Sequence, residues 1–134
     1  MRSLTLYLVL LVTFLAVDAV WLGLVADGFY GRQLGFLLAA QPNWLAAGVF
    51  YLLFVAGLQI FVVEPGLRTG SLRWTLGRAA LFGLVTYATY DLTNLATVAG
   101  WPVLVTVVDL AWGTVLSGAV SLVGHLAGRR LRRA

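Results

Sequence analysis

Three aspartates inside apolar stretches of the chain could do acid–base chemistry or bind a cation. They are Asp18, Asp91 and Asp109. A charged Asp at the centre of a membrane helix costs about 2.5–3.5 kcal/mol on insertion scales. A polar bond between membrane helices contributes only about 0.6 kcal/mol on average, and Asn, Ser or Thr could form one at less insertion cost. We therefore expect a functional site, with purely structural hydrogen bonding as the alternative.

The three acids are predicted to lie at one depth. Asp18 lies seven residues before the outer end of its apolar segment, and Asp91 lies eight before the end of another. Asp109 lies eight residues after Trp101, where a further segment starts. At 1.5 Å per residue, each carboxyl group lies roughly 10–12 Å below the outer membrane boundary. Three helices would then bring their acids to one layer, which predicts a common polar site.

Polar side chains surround Asp91 at helical spacing. Tyr87 lies four residues before it and Asn94 three residues after it, on the same helix face. Tyr90 lies next to that face. Phenol and amide groups around a carboxyl group suit a ligand with hydroxyl or amine groups, or general acid–base catalysis. The predicted site therefore includes Tyr87, Tyr90 and Asn94.

The other two acids are each followed three residues later by a tryptophan, as Asp18 by Trp21 and Asp109 by Trp112. Each indole N–H can donate a hydrogen bond, and each ring can cover a cavity. Arg32 is the one cation predicted on the outer side, and it could reach the site if its loop folds over. With no cation at their own depth, at least one of the clustered carboxyl groups is expected to be protonated at neutral pH.

No metal or cofactor is predicted. The chain has no Cys, which excludes disulfides, thiolate metal ligands and thiol catalysis. His125 has no second histidine with which to form a metal pair, and we expect it to lie at the inner membrane interface. The three aspartates could hold a hard cation, but nothing specific in the sequence favours a carboxylate metal site.

Four apolar segments must position these residues. The composition, 61% hydrophobic and 10% charged, excludes an ordinary soluble fold, for which about 45–50% and about 25% are typical. Each segment is long enough to cross about 30 Å of hydrocarbon. We predict a single all-α transmembrane domain over residues 1–134, with four helices in a compact bundle at about 4–25, 44–63, 75–98 and 102–127.

The arginines predict the orientation. All nine basic residues are Arg, and with four spans the two termini and the middle loop share one side. That side would hold eight of the nine: Arg2, Arg68, Arg73, Arg78, Arg129, Arg130, Arg132 and Arg133. The positive-inside rule then places both termini in the cytoplasm, with a basic tail at 128–134. Because no basic face with interleaved aromatics is present, a nucleic-acid partner is not expected.

The first segment also resembles a signal peptide, since Arg2 precedes an apolar run. The run continues through Trp21 to Val25, which is too long for a signal core. We therefore expect a retained helix.

The connections between the segments carry further predictions. In the outer interfacial loop, 26–43, apolar residues from Tyr30 to Leu38 follow helical spacing and predict an amphipathic helix, either a spacer or a lid. Trp44 and Trp101 are expected to anchor helix starts at the interface. The short connection around Gly100 makes the third and fourth helices antiparallel neighbours. Small residues at four-residue spacing in the fourth helix, Gly113, Ser117 and Ser121, predict its packing seam.

Several blocks of the sequence resemble a bacterial membrane-protein family, domain of unknown function 2177. They are the stretch 14–33, Asn43-Trp44, and YATYDLTNLATVAGWPVLVTVVDLAWG at 87–113. The resemblance covers nearly the whole chain and implies a small four-helix protein of the bacterial inner membrane. It adds weight to Asp18, Asp91, Asn94, Asp109 and Trp112, but implies no activity or cofactor.

Three functions stay open at this stage. The leading hypothesis is binding or processing of a lipid or small lipophilic molecule at the carboxylate cluster near the outer leaflet. The second is a proton- or cation-coupled transporter or channel, which with four helices would need an oligomer. The third is a non-catalytic subunit of a larger membrane complex. Membrane lipid, a second copy of the chain, or another membrane protein are the expected partners.

Overall fold

The computed structural model describes residues 2–133, and almost all of these residues lie in helices, with no strand among them. The helices are α1 (Arg2–Trp21), α2 (Asp27–Leu34), α3 (Trp44–Leu58), α4 (Glu64–Thr69), α5 (Leu72–Thr97) and α6 (Val103–Arg133). The all-helical prediction is therefore confirmed for the part of the chain described.

Two π-helical turns join consecutive helices without a break. Leu22–Ala26 connects α1 to α2, and Gln59–Val63 connects α3 to α4. Pro65 is the second residue after this turn, within the first turn of α4. Because proline has no N–H and its ring clashes with the preceding carbonyl, it favours a widened turn at this position. Each pair of helices thus forms one continuous rod.

Three stretches within residues 2–133 are long and apolar enough to cross a membrane: Arg2–Ala26, Trp44–Thr69 and Val103–Arg133. Three of the four predicted membrane-spanning segments are therefore confirmed by length and composition. Helix α5, with 26 residues, has sufficient length. Polar residues in its outer half, among them Asp91 and Asn94, lower its mean hydropathy.

Side-chain caps and glycines set the remaining helix ends. The Asn43 side chain accepts a hydrogen bond from the Ala46 N–H at 3.1 Å, and Ser71 accepts one from the Trp74 N–H at 3.1 Å. Such caps satisfy N–H groups that have no partner inside the helix. Gly70 and Gly100, at φ 72° and 78°, form the left-handed turns before α5 and before α6.

Helices α5 and α6 pack antiparallel in a single register along most of their length. Thr75 Oγ1 lies 2.7 Å from His125 Nδ1 at one end. Two turns further along, Gly83 contacts the Gly113 carbonyl and the Ser117 hydroxyl, and Gly113 in turn contacts the Tyr87 ring. The Asp91 and Asp109 carboxyl groups meet at the other end. Each step of four residues along α5 therefore matches a step of four along α6. We call this contact the α5–α6 seam.

The bundle buries aromatic and aliphatic side chains from α1, α3, α4 and α6. Its largest fully buried side chains include Leu10 and Phe14 of α1, Leu58 of α3, and Leu116 and Val120 of α6. Large apolar side chains also cover the outside of the helices. The most exposed include Val12, Leu24, Leu45, Leu53, Phe61, Val107 and Val115. A continuous apolar exterior suits lipid rather than water.

Two expectations need correction at the end of the bundle that carries α2 and the α5–α6 turn. The amphipathic helix predicted from Tyr30 to Leu38 ends at Leu34, followed by Gly35 and a turn, so Leu37 and Leu38 lie exposed outside it. Trp101 is not an exposed interface anchor, since only 8% of it is accessible and its indole N–H donates to Thr106 Oγ1 at 3.2 Å. Trp101 packs with Leu34 instead.

Two expectations about the opposite end, which carries the C-terminal part of α6, also need correction. His125 is not interfacial but completely buried, because α4 and α5 both pack against this part of α6. The predicted tail at 128–134 continues α6 as far as Arg133. With 31 residues, α6 is about 46 Å long, which exceeds the about 30 Å of a hydrocarbon core. Its terminal arginines can therefore lie beyond the hydrocarbon while remaining helical.

Candidate functional site

A cavity of about 520 Å³ lies at the end of the bundle that carries α2 and the α5–α6 turn, which we call the outer end. Every long helix contributes to its wall. The lining residues are Asp18, Trp21, Leu22, Tyr30, Ala47, Phe50, Tyr51, Thr86, Tyr87, Tyr90, Asp91, Asp109 and Trp112. The three acids that were predicted at one depth therefore line one space. We refer to it as the carboxyl cavity.

Asp91 and Asp109 form a carboxyl pair across the α5–α6 seam. Asp91 has no accessible surface, and neither of its oxygens receives a hydrogen bond from a donor in residues 2–133. The Asp109 carboxyl group lies within hydrogen-bonding reach of it. Two adjacent buried carboxylates would repel strongly, whereas one proton between them gives a stable hydrogen bond. The pair is therefore built to hold a proton.

Asp18 stands apart from this pair, on the α1 side of the carboxyl cavity. The Tyr51 hydroxyl of α3 and the Trp112 indole of α6 lie within hydrogen-bonding reach of its carboxyl group. Among the residues described, no three His, Asp or Glu side chains come close enough together to hold a metal ion. The three acids therefore do not converge on a cation site and divide into a pair and a single carboxyl group.

Helix α2 closes the outer side of the cavity through Tyr30. The Tyr30 hydroxyl donates a hydrogen bond to Asp109 Oδ1. Burial raises the pKa of Tyr30, and the hydrogen bond to Asp109 raises it further. The phenol therefore stays neutral and acts as a donor at ordinary pH. Leu34 also anchors α2, since it packs against Trp101 and Val105.

Aromatic rings form much of the remaining wall. Trp21 and Trp112 are stacked, with ring centroids 4.3 Å apart and an interplanar angle of 10°. This pair joins α1 to α6 beside Asp18. Tyr90 meets Trp101 edge to face, with centroids 5.7 Å apart. The two indoles, which were predicted to cover a cavity, thus lie stacked in the cavity wall.

Two of the predicted site residues do not line the carboxyl cavity. Asn94 lies one turn beyond it, within hydrogen-bonding reach of the Tyr90 hydroxyl. The Arg32 guanidinium folds back toward Gly28 of its own helix, 2.7 Å from where a Cβ on that glycine would lie. Neither is therefore placed for direct contact with a molecule in the cavity.

Sequence reasoning missed Tyr51 and underrated Tyr30. Tyr51 follows Trp44, the outer start of α3, by seven residues. The same depth estimate that selected the three acids, roughly 10–12 Å below the boundary, would have selected it. Tyr30 was assigned to the apolar face of the loop helix. No sequence signal shows that its hydroxyl turns inward, because that depends on how α2 packs on α6.

Comparison with known proteins identifies a family but no characterised relative. A family model described as "Predicted membrane protein" (DUF2177) matches residues 3–126. No curated protein and no solved structure matches the chain significantly.

Proposed function

The chain belongs to the family of predicted membrane proteins named domain of unknown function 2177, and we propose that it binds a lipid or small lipophilic molecule within the membrane. The observation that carries this proposal is the carboxyl cavity, a largely apolar space in which buried acids lie beside phenol groups. On this proposal, the same acids would also carry out any chemical processing of the bound molecule.

The proposal includes four membrane spans, with α5 as the fourth. Helix α6 is apolar enough to cross a membrane, and α5 lies along it in one register from Thr75 opposite His125 to Asp91 opposite Asp109. These sixteen residues of contact span about 24 Å, most of the hydrocarbon thickness. A helix that accompanies a membrane span over such a length has to share its depth.

Four spans place both termini on one side of the membrane. That side carries eight arginines and the outer end carries Arg32 alone. By the positive-inside rule, the termini face the cytoplasm of a bacterial inner membrane. The carboxyl cavity then lies in the half of the bilayer away from the cytoplasm.

The lining of the cavity favours an amphiphile that enters from the lipid. Leu22, in the π-helical turn after α1, and Phe50 of α3 belong to the wall and are 48% and 45% exposed. Exposed apolar wall residues on these two segments suit an opening between them. A ligand could therefore enter laterally, keep its apolar part against the rings, and direct hydroxyl or amine groups toward Asp18 or the carboxyl pair.

Acid–base chemistry on such a ligand has the required groups. The Asp91–Asp109 pair can hold one proton between two oxygens, and Tyr30 supplies a neutral donor to the same pair. A proton donor and an acceptor side by side are the minimum for general acid–base catalysis. The aromatic wall lowers the local dielectric around these groups, which strengthens their interactions.

Native mass spectrometry from lipid nanodiscs tests the proposal. We expect the wild-type protein to retain a specific small-molecule or lipid adduct, and Asp91→Asn and Asp18→Asn to lose it. Glu64→Gln is the matched control, because Glu64 lies at the inner end, where it accepts hydrogen bonds from Ser3 and Gln59. An adduct-free wild type, or an adduct that both Asp variants keep, would refute ligand binding in the cavity.

The same spectra report the number of subunits and so bear on the other candidates. A proton- or cation-coupled transporter needs a path from the carboxyl cavity to the inner face, for which the α5–α6 seam gives specific support below. A non-catalytic subunit predicts instead a membrane-protein partner that remains bound after purification.

A further inference from the structure

Three polar side chains in the inner half of the α5–α6 seam are buried, and each has a polar atom without a hydrogen-bond partner. They are Ser117, Ser121 and His125, all at 0% exposure. The Ser117 and Ser121 hydroxyls and His125 Nε2 have no partner within the described chain. The large majority of buried side-chain polar atoms in proteins have a hydrogen-bond partner. Three unpartnered groups in succession on one helix face therefore indicate that something else contacts them.

The opposite side of the seam leaves these groups without protein partners. In the register of the two helices, Gly83 faces Ser117, Ala79 faces Ser121 and Thr75 faces His125. Gly83 and Ala79 carry no polar side chain, and Thr75 contacts only the other ring nitrogen, His125 Nδ1. The remaining neighbours in this layer are apolar, including Leu116 and Val120. Water is the simplest partner for buried hydroxyl and imidazole groups that have no protein partner.

The spacing of the unpartnered groups suits single water molecules. Residues four apart on a helix are about 6 Å apart along its axis. One water that makes a hydrogen bond of about 2.8 Å on each side spans about 5.6 Å. We propose that the α5–α6 seam conducts protons between the inner-end cavity that His125 lines and the Asp91–Asp109 pair, through Ser121, Ser117 and intervening water.

Both ends of this path have groups that exchange protons. At the inner end, His125 lines an open cavity of about 480 Å³ together with Leu67 and Gly70 and three basic side chains, Arg129, Arg132 and Arg133. An imidazole ring has two nitrogens, one of which can accept a proton while the other donates one. Of the elements packed on His125, α6 presents these arginines, whereas α4 presents Leu67 and α5 the uncharged Thr75.

Toward the outer end, Gly113 of α6 contributes no side chain to the seam, and Tyr87 of α5 occupies that position. Its ring packs on Gly113, and it lines the carboxyl cavity. The phenol therefore lies between Ser117 and the carboxyl pair. The other titratable groups that face the pair are Tyr30 from α2, Asp18 from α1 and Tyr90 from α5.

Proton transfer along this path consumes no other reactant. Each hydroxyl or water gives up its own proton as it receives one from its neighbour. One proton therefore enters at His125 for each that leaves the carboxyl pair into the carboxyl cavity. The imidazole takes the incoming proton on one nitrogen and releases one from the other. A pH difference or a membrane potential is sufficient to drive the transfer.

Proteoliposomes with an entrapped pH dye test the path. A potassium diffusion potential is imposed with valinomycin, and the initial rate of the pH change is compared with that of protein-free vesicles. We expect the wild type to conduct protons, and Ser117→Ala and Ser121→Ala, which remove only one oxygen atom, to lose most of this flux. Thr114→Ala is the control, because its hydroxyl lies on α6 outside the seam, bound to the Leu110 carbonyl at 2.8 Å.

Two results would overturn the inference: a wild-type flux equal to that of protein-free vesicles, or a flux that both serine variants keep. Thermal unfolding of each variant in detergent shows whether it folds, and His125→Gln supplies an independent interruption of the path. Adduct retention in the nanodisc measurement should not change in Ser121→Ala. Failure of the proton path and failure of ligand binding are therefore distinguishable.

Discussion

At the scale of single residues, Asp91 has the most demanding environment in the molecule. Its carboxyl group is fully buried, has no donor on either oxygen, and faces a second carboxyl group. Such a carboxyl group can stabilise the fold only when it carries a proton or shares one with its neighbour, because an unpaired buried charge costs several kcal/mol. Function rather than packing is the better explanation for keeping an acid here.

This environment predicts that Asp91→Asn stabilises the protein. The amide has the size of the carboxyl group, and its NH₂ can donate to Asp109 without first taking up a proton. We expect a gain of about 1 kcal/mol, measured as the midpoint of thermal unfolding in detergent at neutral pH. Asp91→Leu, which leaves Asp109 without this partner, is the comparison and should destabilise the fold. A lower midpoint for the Asn variant would show that the pair does not share a proton.

A second residue-scale prediction concerns Tyr30. Tyr30→Phe removes the hydrogen bond to Asp109 while keeping the ring, and bonds to charged groups contribute about 1.5–3 kcal/mol. We expect faster amide hydrogen exchange across α2, measured by mass spectrometry, and unchanged exchange in α5. Tyr7→Phe is the control, since its hydroxyl bonds the Leu52 carbonyl at 2.9 Å, away from α2. Equal exchange in wild type and Tyr30→Phe would contradict a closing role for this contact.

The raised pKa of Tyr30 carries a pH dependence of defined sign. A tyrosine whose pKa is higher in the folded state stabilises the fold below its unfolded value of about 10. This contribution is lost as the pH rises through the folded value. The ultraviolet difference spectrum between wild type and Tyr30→Phe should therefore show no phenolate at pH values where exposed tyrosines ionise. A phenolate signal near pH 10 would mean that Tyr30 is exposed.

At the scale of helices, the α5–α6 seam depends on two glycines. A Cβ on Gly83 would meet the Gly113 carbonyl and the Ser117 hydroxyl, and one on Gly113 would meet the Tyr87 ring. Backbone atoms cannot move aside as a flexible side chain can, so the two helices would have to separate. The close approach of the carboxyl pair therefore depends on two nearby glycines, Gly83 about two turns from Asp91 and Gly113 about one turn from Asp109.

We accordingly predict that Gly83→Ala and Gly113→Ala destabilise the protein by about 1–3 kcal/mol. Gly118→Ala on the same helix is the matched control, because no atom lies within 4 Å of a Cβ at that position. It should be neutral or stabilising by up to about 1 kcal/mol, as alanine favours helices over glycine. Thermal unfolding in detergent gives the ranking, and similar midpoints for all three variants would refute a tight seam.

Much of the element arrangement could be predicted because it follows from hydropathy and spacing along one helix. Counting residues from the helix ends was enough to select Asp18, Asp91 and Asp109 for one layer. The rotation of each helix about its axis was not predictable. It decides that Tyr51 lines the cavity, that Asn94 does not, and that His125 is enclosed by α4 and α5. Those outcomes depend on contacts between helices, which no single-helix pattern records.

At the scale of the whole molecule, an apolar exterior surrounds a polar interior. Exposed leucines, valines and phenylalanines cover the bundle, while acids, hydroxyls and a histidine lie within it. Burial of apolar surface from water cannot hold such helices together once lipid surrounds them. Close packing along the α5–α6 seam and the aromatic contacts are the alternative source of cohesion.

The proposed four-span arrangement makes a topological prediction, and the sequence makes it easy to test. The chain has no Cys, so single cysteines can be introduced without removing others. Ser3→Cys and Leu131→Cys should react with a membrane-impermeant maleimide from the cytoplasmic side only, and Leu38→Cys from the opposite side only. Labelling of Ser3→Cys and Leu131→Cys from opposite sides would show that α5 does not cross the membrane.

The π-helical turn Leu22–Ala26 fixes the direction in which Tyr30 points. Each residue of an α-helix advances about 100° around the axis, so a turn that accommodates one residue more than regular α-helix shifts everything after it by a similar angle. Closure of the cavity therefore depends on how many residues the turn contains, more than on which residues they are. Gain or loss of one residue here would keep every polar side chain of the cavity and would turn the phenol of Tyr30 away from Asp109.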